Sequence, residues 1–148
     1  MIRPVESLDE LQVGQRWEFG RVRMEEEAII AFGRQWDRQP FHIDPEAAKD
    51  SIYGGLIASG LHTQVACFSV ILDSQLWSKA SLGGAGMDVR WPTAVRPGDE
   101  IDVAGEVTEI IPSRSRPDRG IAKIRYTGTR VADGATVLEL LATQFVRR

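Results

Sequence analysis

The stretch WDRQPFHID, Trp36 to Asp44, sets an aspartate and a histidine five residues apart around a proline, with a second aspartate two residues further on. His42 is one of only two histidines in the chain. A carboxylate near an imidazole is equipment for moving protons, because histidine's ordinary pKa of about 6.5 lies close to working pH. The same residues also have a plain structural use, in which Asp37 accepts backbone donors and His42 fills a polar corner of a loop. As metal ligands, Asp37, His42 and Asp44 would supply two carboxylates and one imidazole. No second cluster completes that set, and Pro40 already explains the close spacing, so no metal is expected.

The flanking elements must hold these side chains. Pro40 lacks a donor and drives Gln39 toward extended geometry, so DRQPFHID cannot be helical throughout and the Asp37–His42 pair is predicted on a constrained loop. Upstream, LQVGQRWEFGRVRM reads as a turn followed by a first strand. EEEAIIAFGRQW then changes to helical spacing, with its three glutamates in the first turn where the helix dipole favours them. Downstream, Asp44 is an N-cap and Pro45 a first helical residue for a short helix, DPEAAKDS.

IYGGLIASG is a glycine-containing approach to a longer helix, LHTQVACFSVILDSQLW. Leu61, Val65, Phe68, Leu72 and Leu76 form one stripe, and Ala66, Cys67, Val70 and Ile71 make most of the remaining surface apolar. A helix apolar nearly all round is expected inside the domain. His62 reads as a helix residue satisfied by a neighbour. After Trp77 four strand-like segments follow, divided by the turn chemistry of RPGD, SRSRPDRG and ADG. Ala122, Ile124 and Tyr126 alternate with Lys123, Arg125 and Thr127, which marks half-buried antiparallel strands. One early strand, helices, then four strands make an α+β domain in which a single antiparallel sheet covers a buried helix.

Composition narrows the function classes. The chain has 148 residues, 43% of them hydrophobic, and reads as one domain, 1–148. A net charge of -3 gives no general electrostatic reason to seek nucleic acid. Cys67 is the single cysteine and stands in an apolar run, so neither an intramolecular disulfide nor a multi-cysteine zinc site is expected. The opening MIRPVESLDELQVGQ carries acidic residues and no apolar run, and no stretch reaches membrane-span length. A cytoplasmic protein without membrane partners is the expectation.

DRQPFHID followed by YGGLIASGLHT resembles the motif D-x-N-P-x-H-x-D and the glycine-ended entry to the central helix of the MaoC-like dehydratases and (R)-specific enoyl-CoA hydratases. RPGDEIDVAGEV and SRSRPDRGIAKIRYTGTR extend the resemblance over nearly the whole chain. It implies the hotdog fold, an antiparallel sheet wrapped around a long central helix. It further implies that Asp37 and His42 are the catalytic pair and that the backbone amide of Gly60 binds a thioester oxygen. The reaction implied is interconversion of a trans-2-enoyl-CoA and an (R)-3-hydroxyacyl-CoA. Gln39 stands where the family has an asparagine that orients the loop and a water. Coenzyme A or phosphopantetheine enters only as part of the substrate, with no separate cofactor.

Other residues attach to this reading by position. Tyr53 has the spacing to line an acyl pocket. Arg114, Arg116 and Arg119 share one hairpin loop, either as a solvated turn or as a contact to the phosphates of coenzyme A. The resemblance also implies a homodimer with sheets paired edge to edge and the active site near the seam. Two alternatives stay open. One is a hotdog acyl-CoA thioesterase, against which stands the lack of an acidic residue in the central helix before Asp73. The other is a non-catalytic acyl-thioester-binding protein, kept in view by Gln39.

Overall fold

The alternating segments become five strands of one antiparallel sheet in the computed structural model, which describes residues 1–148: β1 (Arg16–Arg23), β2 (Ser81–Arg90), β3 (Glu100–Pro112), β4 (Arg119–Arg130) and β5 (Thr136–Arg147). Their order across the sheet is β1-β3-β4-β5-β2, with every neighbouring pair antiparallel. Register slips by one residue between Glu18 and Gly20 of β1 and between Val107 and Glu109 of β3. Such bulges increase local twist and help the sheet curl.

Between β1 and β2 run α1 (Glu26–Trp36), the single turns α2 (Pro40–Ile43) and α3 (Pro45–Ala48), and the long α4 (Gly60–Asp73). Glu26 and Glu27 occupy the first turn of α1, while Glu25 is its extended N-cap and not a first-turn residue. α4 packs on β1, β3 and β5. Thr63, Cys67 and Ile71 form its covered face, and Ile101, Val103, Ile124 and Leu138 of the sheet are buried in the same core as Cys67 and Ile71. Burial pushes the Cys67 thiol up to about 12, so it is a packing group and not a thiolate.

The expectation of an all-round buried helix needs correction. Leu61, Val65, Phe68 and Leu72 are 48%, 49%, 41% and 50% exposed, whereas Leu76, beyond the helix, is fully buried. A single sheet covers only one face of α4, so the apolar stripe on its far side meets solvent in the lone chain. β2 borders the sheet beside it, and all but one of its residues are exposed. No helix is long and apolar enough to cross a membrane.

Candidate active site

α1 ends at Asp37, whose amide donates to the Gly33 carbonyl at 2.9 Å. Gln39 is extended, with φ -70° and ψ 138°, as the following proline requires. Pro40 then begins α2 at once, so His42 sits in a one-turn helix and not on the constrained loop predicted. The reason lies in the proline itself: it disfavours helix in the residue before it but is well suited to the first helical position. α2 lies hard against α1 at Gly33, where an added Cβ would stand 2.8 Å from Ile43 Cγ2 and 3.0 Å from the His42 carbonyl oxygen. Asp44 caps α3 as expected, accepting the amides of Glu46 and Ala47.

His42 is only 5% exposed. Its Nδ1 lies 2.8 Å from the Ile57 carbonyl oxygen. A carbonyl can only accept, so in the neutral ring Nδ1 carries the proton and Nε2 presents its lone pair. That Nε2 stands 3.3 Å from Asp37 Oδ2. The carboxylate is held at both oxygens: Gln39 Nε2 donates to Oδ1 at 2.8 Å, and Ser59 Oγ donates to Oδ2 at 2.7 Å. Burial by itself would raise the Asp37 carboxyl, but the hydrogen bonds from Gln39 and Ser59 outweigh it and hold the group below the usual carboxylate range.

Ser59 precedes the first turn of α4 with extended backbone, and its side chain makes no capping bond. The amides of Gly60, Leu61 and His62 find no acceptor within the chain, whereas Thr63 donates to the Ser59 carbonyl. These are the outward-pointing donors of a helix N-terminus, where the dipole favours negative charge. Gly60 must be a glycine because the indole of Trp91 occupies the place of its side chain. Together these groups open onto a cleft of about 510 Å³. Phe41 meets His42 and Tyr53 edge to face, at 4.6 and 5.3 Å between ring centroids, and builds one apolar wall.

Asp37, Gln39, His42, Tyr53 and Gly60 all line this cleft, so residues spread over Asp37 to Gly60 converge. Arg114, Arg116 and Arg119 do not join them. They sit at the β3–β4 turn, where Pro112 opposes Gly120, whereas the cleft lies toward the other end of the sheet, past the Arg90–Glu139 pairing. Arg119 is engaged by Asp118 at 3.0 Å. His62 departs from expectation too: its ring stacks on Phe32 at 4.8 Å, and its buried Nδ1 has no partner.

Three contributors had no legible signal. Ser59 is one small polar residue in the approach to the long helix, the Ile57 carbonyl is main chain, and Trp91 arrives from beyond β2.

Residues 10–138 match the model of the MaoC-like domain. The chain belongs to the MaoC-like domain family. This MaoC-like chain is 40% identical to the MaoC-like dehydratase of Rhodospirillum rubrum, whose crystal structure it matches at a TM-score of 0.89 over 96% of its own length and 97% of the other. It is 26% identical to the (R)-hydratase of A. caviae involved in PHA biosynthesis, at a TM-score of 0.71 over 90% and 96% of the two chains. It is also 28% identical to the uncharacterized protein YdeM of Bacillus subtilis, over 73% of this chain and 77% of that one. The five-stranded sheet and central helix are thus the hotdog fold, as the sequence resemblance implied.

Proposed function

We propose that this MaoC-like chain is a hydratase or dehydratase that interconverts a trans-2-enoyl-CoA and an (R)-3-hydroxyacyl-CoA. The observation that carries the reading is the 3.3 Å approach of His42 Nε2 to Asp37 Oδ2 in a cleft that also holds the free amide of Gly60. Two acceptors side by side, a lone pair and a carboxylate, suit one water that donates a hydrogen to each. Its oxygen lone pair is then turned toward the β-carbon of the enoyl group.

In hydration the water oxygen bonds to C3, the C2=C3 electron pair moves toward the thioester, and the carbonyl oxygen gains negative charge. The Asp37–His42 pair takes the water proton and returns one proton to C2, restoring the thioester. The Gly60 amide at the helix N-terminus is the donor for the oxygen in between. Gln39, bonded to Asp37 Oδ1, keeps the orienting work of an amide at the family's asparagine position. The chemistry is redox-neutral and calls for no cofactor beyond the coenzyme A or phosphopantetheine that the substrate carries. Tyr53 belongs to the wall along which the acyl chain runs.

The functional unit in this reading is a homodimer. Support comes from the exposed stripe of α4 and the uncovered edge strand β2 beside it. If two β2 strands pair antiparallel about a two-fold axis, the Ser81 end of one lies beside the Arg90 end of the other. The hairpin bearing Arg114, Arg116 and Arg119, at the Ser81 end, would then approach the neighbour's cleft and meet coenzyme A phosphates there.

The test is hydration of crotonyl-CoA and a longer trans-2-enoyl-CoA, followed by loss of enone absorbance, with free thiol monitored in parallel. Loss of absorbance without thiol release, abolished by Asp37→Asn and by His42→Ala, is the expected result. Thiol release would replace this reading with the thioesterase. An unchanged substrate that still binds would replace it with an acyl-thioester-binding protein.

A further inference from the structure

We propose that Ser59 is a positioning residue of this site, whose hydroxyl ties the Asp37 carboxylate to the start of α4 and keeps Oδ2 facing His42 Nε2. The inference rests on the hydration reading above and names a residue that it does not use.

Ser59 has the extended backbone of a helix N-cap, and a serine at that position ordinarily accepts the amide of the second or third helical residue. Here it does not. Its Oγ lies 2.7 Å from Asp37 Oδ2, and since a carboxylate oxygen only accepts, the hydroxyl proton is committed to Asp37. A short bond from a hydroxyl to an ionised group is among the stronger hydrogen bonds, and at 1% exposure Ser59 meets little competition from water. Gln39, the other donor to this carboxylate, is exposed. Ser59 is therefore the sheltered half of the clamp.

Two consequences follow from this one bond. Asp37 projects from the C-terminus of α1, and the hydroxyl fixes its rotamer relative to α4, so the oxygen opposite His42 cannot swing away. Because the side chain is turned toward Asp37, it also leaves uncapped the Leu61 and His62 amides in the same turn as the Gly60 donor, so the helix N-terminus stays open to the thioester oxygen. The proton-transfer pair and the oxyanion donors are thus set against each other by a single hydroxyl.

The experiment compares Ser59→Ala and Ser59→Cys, which lose the strong donor, with Ser59→Thr, which keeps it. Hydration kcat and KM are measured across pH, and the Asp37 side-chain carboxyl is titrated by carbon NMR in the protein without substrate. Thermal melting reports folding. Ser59→Ala and Ser59→Cys are expected to lower kcat by up to about 100-fold with KM little changed, the scale of loss when a reacting group is misplaced by about 1 Å. In both, the Asp37 titration moves to higher pH, while Ser59→Thr stays near wild type. Unchanged kcat and an unchanged Asp37 titration in a folded Ser59→Ala or Ser59→Cys would overturn the proposal. If the wild type hydrates no enoyl thioester yet the Asp37 titration still moves on losing the hydroxyl, the hydration reading fails and the hold of Ser59 on Asp37 stands.

Discussion

The indole of Trp91 fills the space that a side chain on Gly60 would need: a Cβ there would stand 2.6 Å from Cδ2 and 2.8 Å from Nε1. Trp91 is thereby pressed against the residue whose amide opens the helix N-terminus, and it walls the cleft on that side. Gly60→Ala is expected to displace either the indole or the first turn of α4. Hydration should fall about 100-fold, the scale of losing one oxyanion donor. Combining it with Trp91→Ala should recover part of that loss, and Trp91→Ala alone should raise KM. Steady-state kinetics on the three variants decide the matter, and a Gly60→Ala enzyme at wild-type rate would sink the argument.

Much of this was legible because the signals are local. Pro40 and Gln39 announce where helix must stop, Asp44 and Pro45 announce α3, and the period-two pattern at Ala122, Ile124 and Tyr126 marks a half-buried strand. The cleft residues from Asp37 to Gly60 came within reach because family motif and chain order keep them close. What escaped is what the third dimension decides. Composition shows that α4 is apolar all round but not that one sheet covers only the Thr63, Cys67 and Ile71 face. Ser59 looks identical in sequence whether it caps its helix or turns to Asp37. Trp91 reaches Gly60 only because β2 carries the chain back along α4, and nothing in the residues around position 91 points there.

The bare face of α4 makes an oligomer prediction. Phe68→Glu and Leu72→Asp place charge on side chains that are about half exposed in the lone chain, so the fold itself should tolerate them. Wild type is expected to sediment as a dimer and each variant as a monomer with near-native circular dichroism. Wild-type protein that sediments as a monomer at micromolar concentration would remove the dimer from the proposed function.

Arg130 braces the wall of the cleft from behind. Its Nη1 donates to the Ala94 carbonyl at 3.0 Å and to Asp99 Oδ2 at 3.1 Å, and Ala94 lines the cleft. The Arg130–Asp99 pair is mostly shielded, with side chains 15% and 17% exposed. Arg130→Met leaves Asp99 short of a partner and should cost about 2 kcal/mol of stability, the usual scale for a lost hydrogen bond to a charged group. KM for the enoyl thioester should rise more than kcat falls, because the loop it steadies shapes the cleft without holding the reacting pair. Urea melts and kinetics on one preparation separate the two effects; stability unchanged from wild type would contradict the bracing role.

His62 sets an acid limit on the fold. Stacked on Phe32 with Nδ1 unpaired, it is held by burial below the usual histidine range. A lowered folded-state value means that the unfolded chain binds the proton more readily, so stability is full above about pH 6.5, the unfolded histidine value, and declines as pH drops from there toward the lowered folded value. Protonation would also put a positive charge in the first turn of α4, where the dipole opposes it. His62→Phe keeps the stack and removes the proton site. Its melting temperature is therefore expected to fall less than that of wild type between pH 7 and pH 5, and parallel curves over that range would show that the ring titrates no differently in the folded protein.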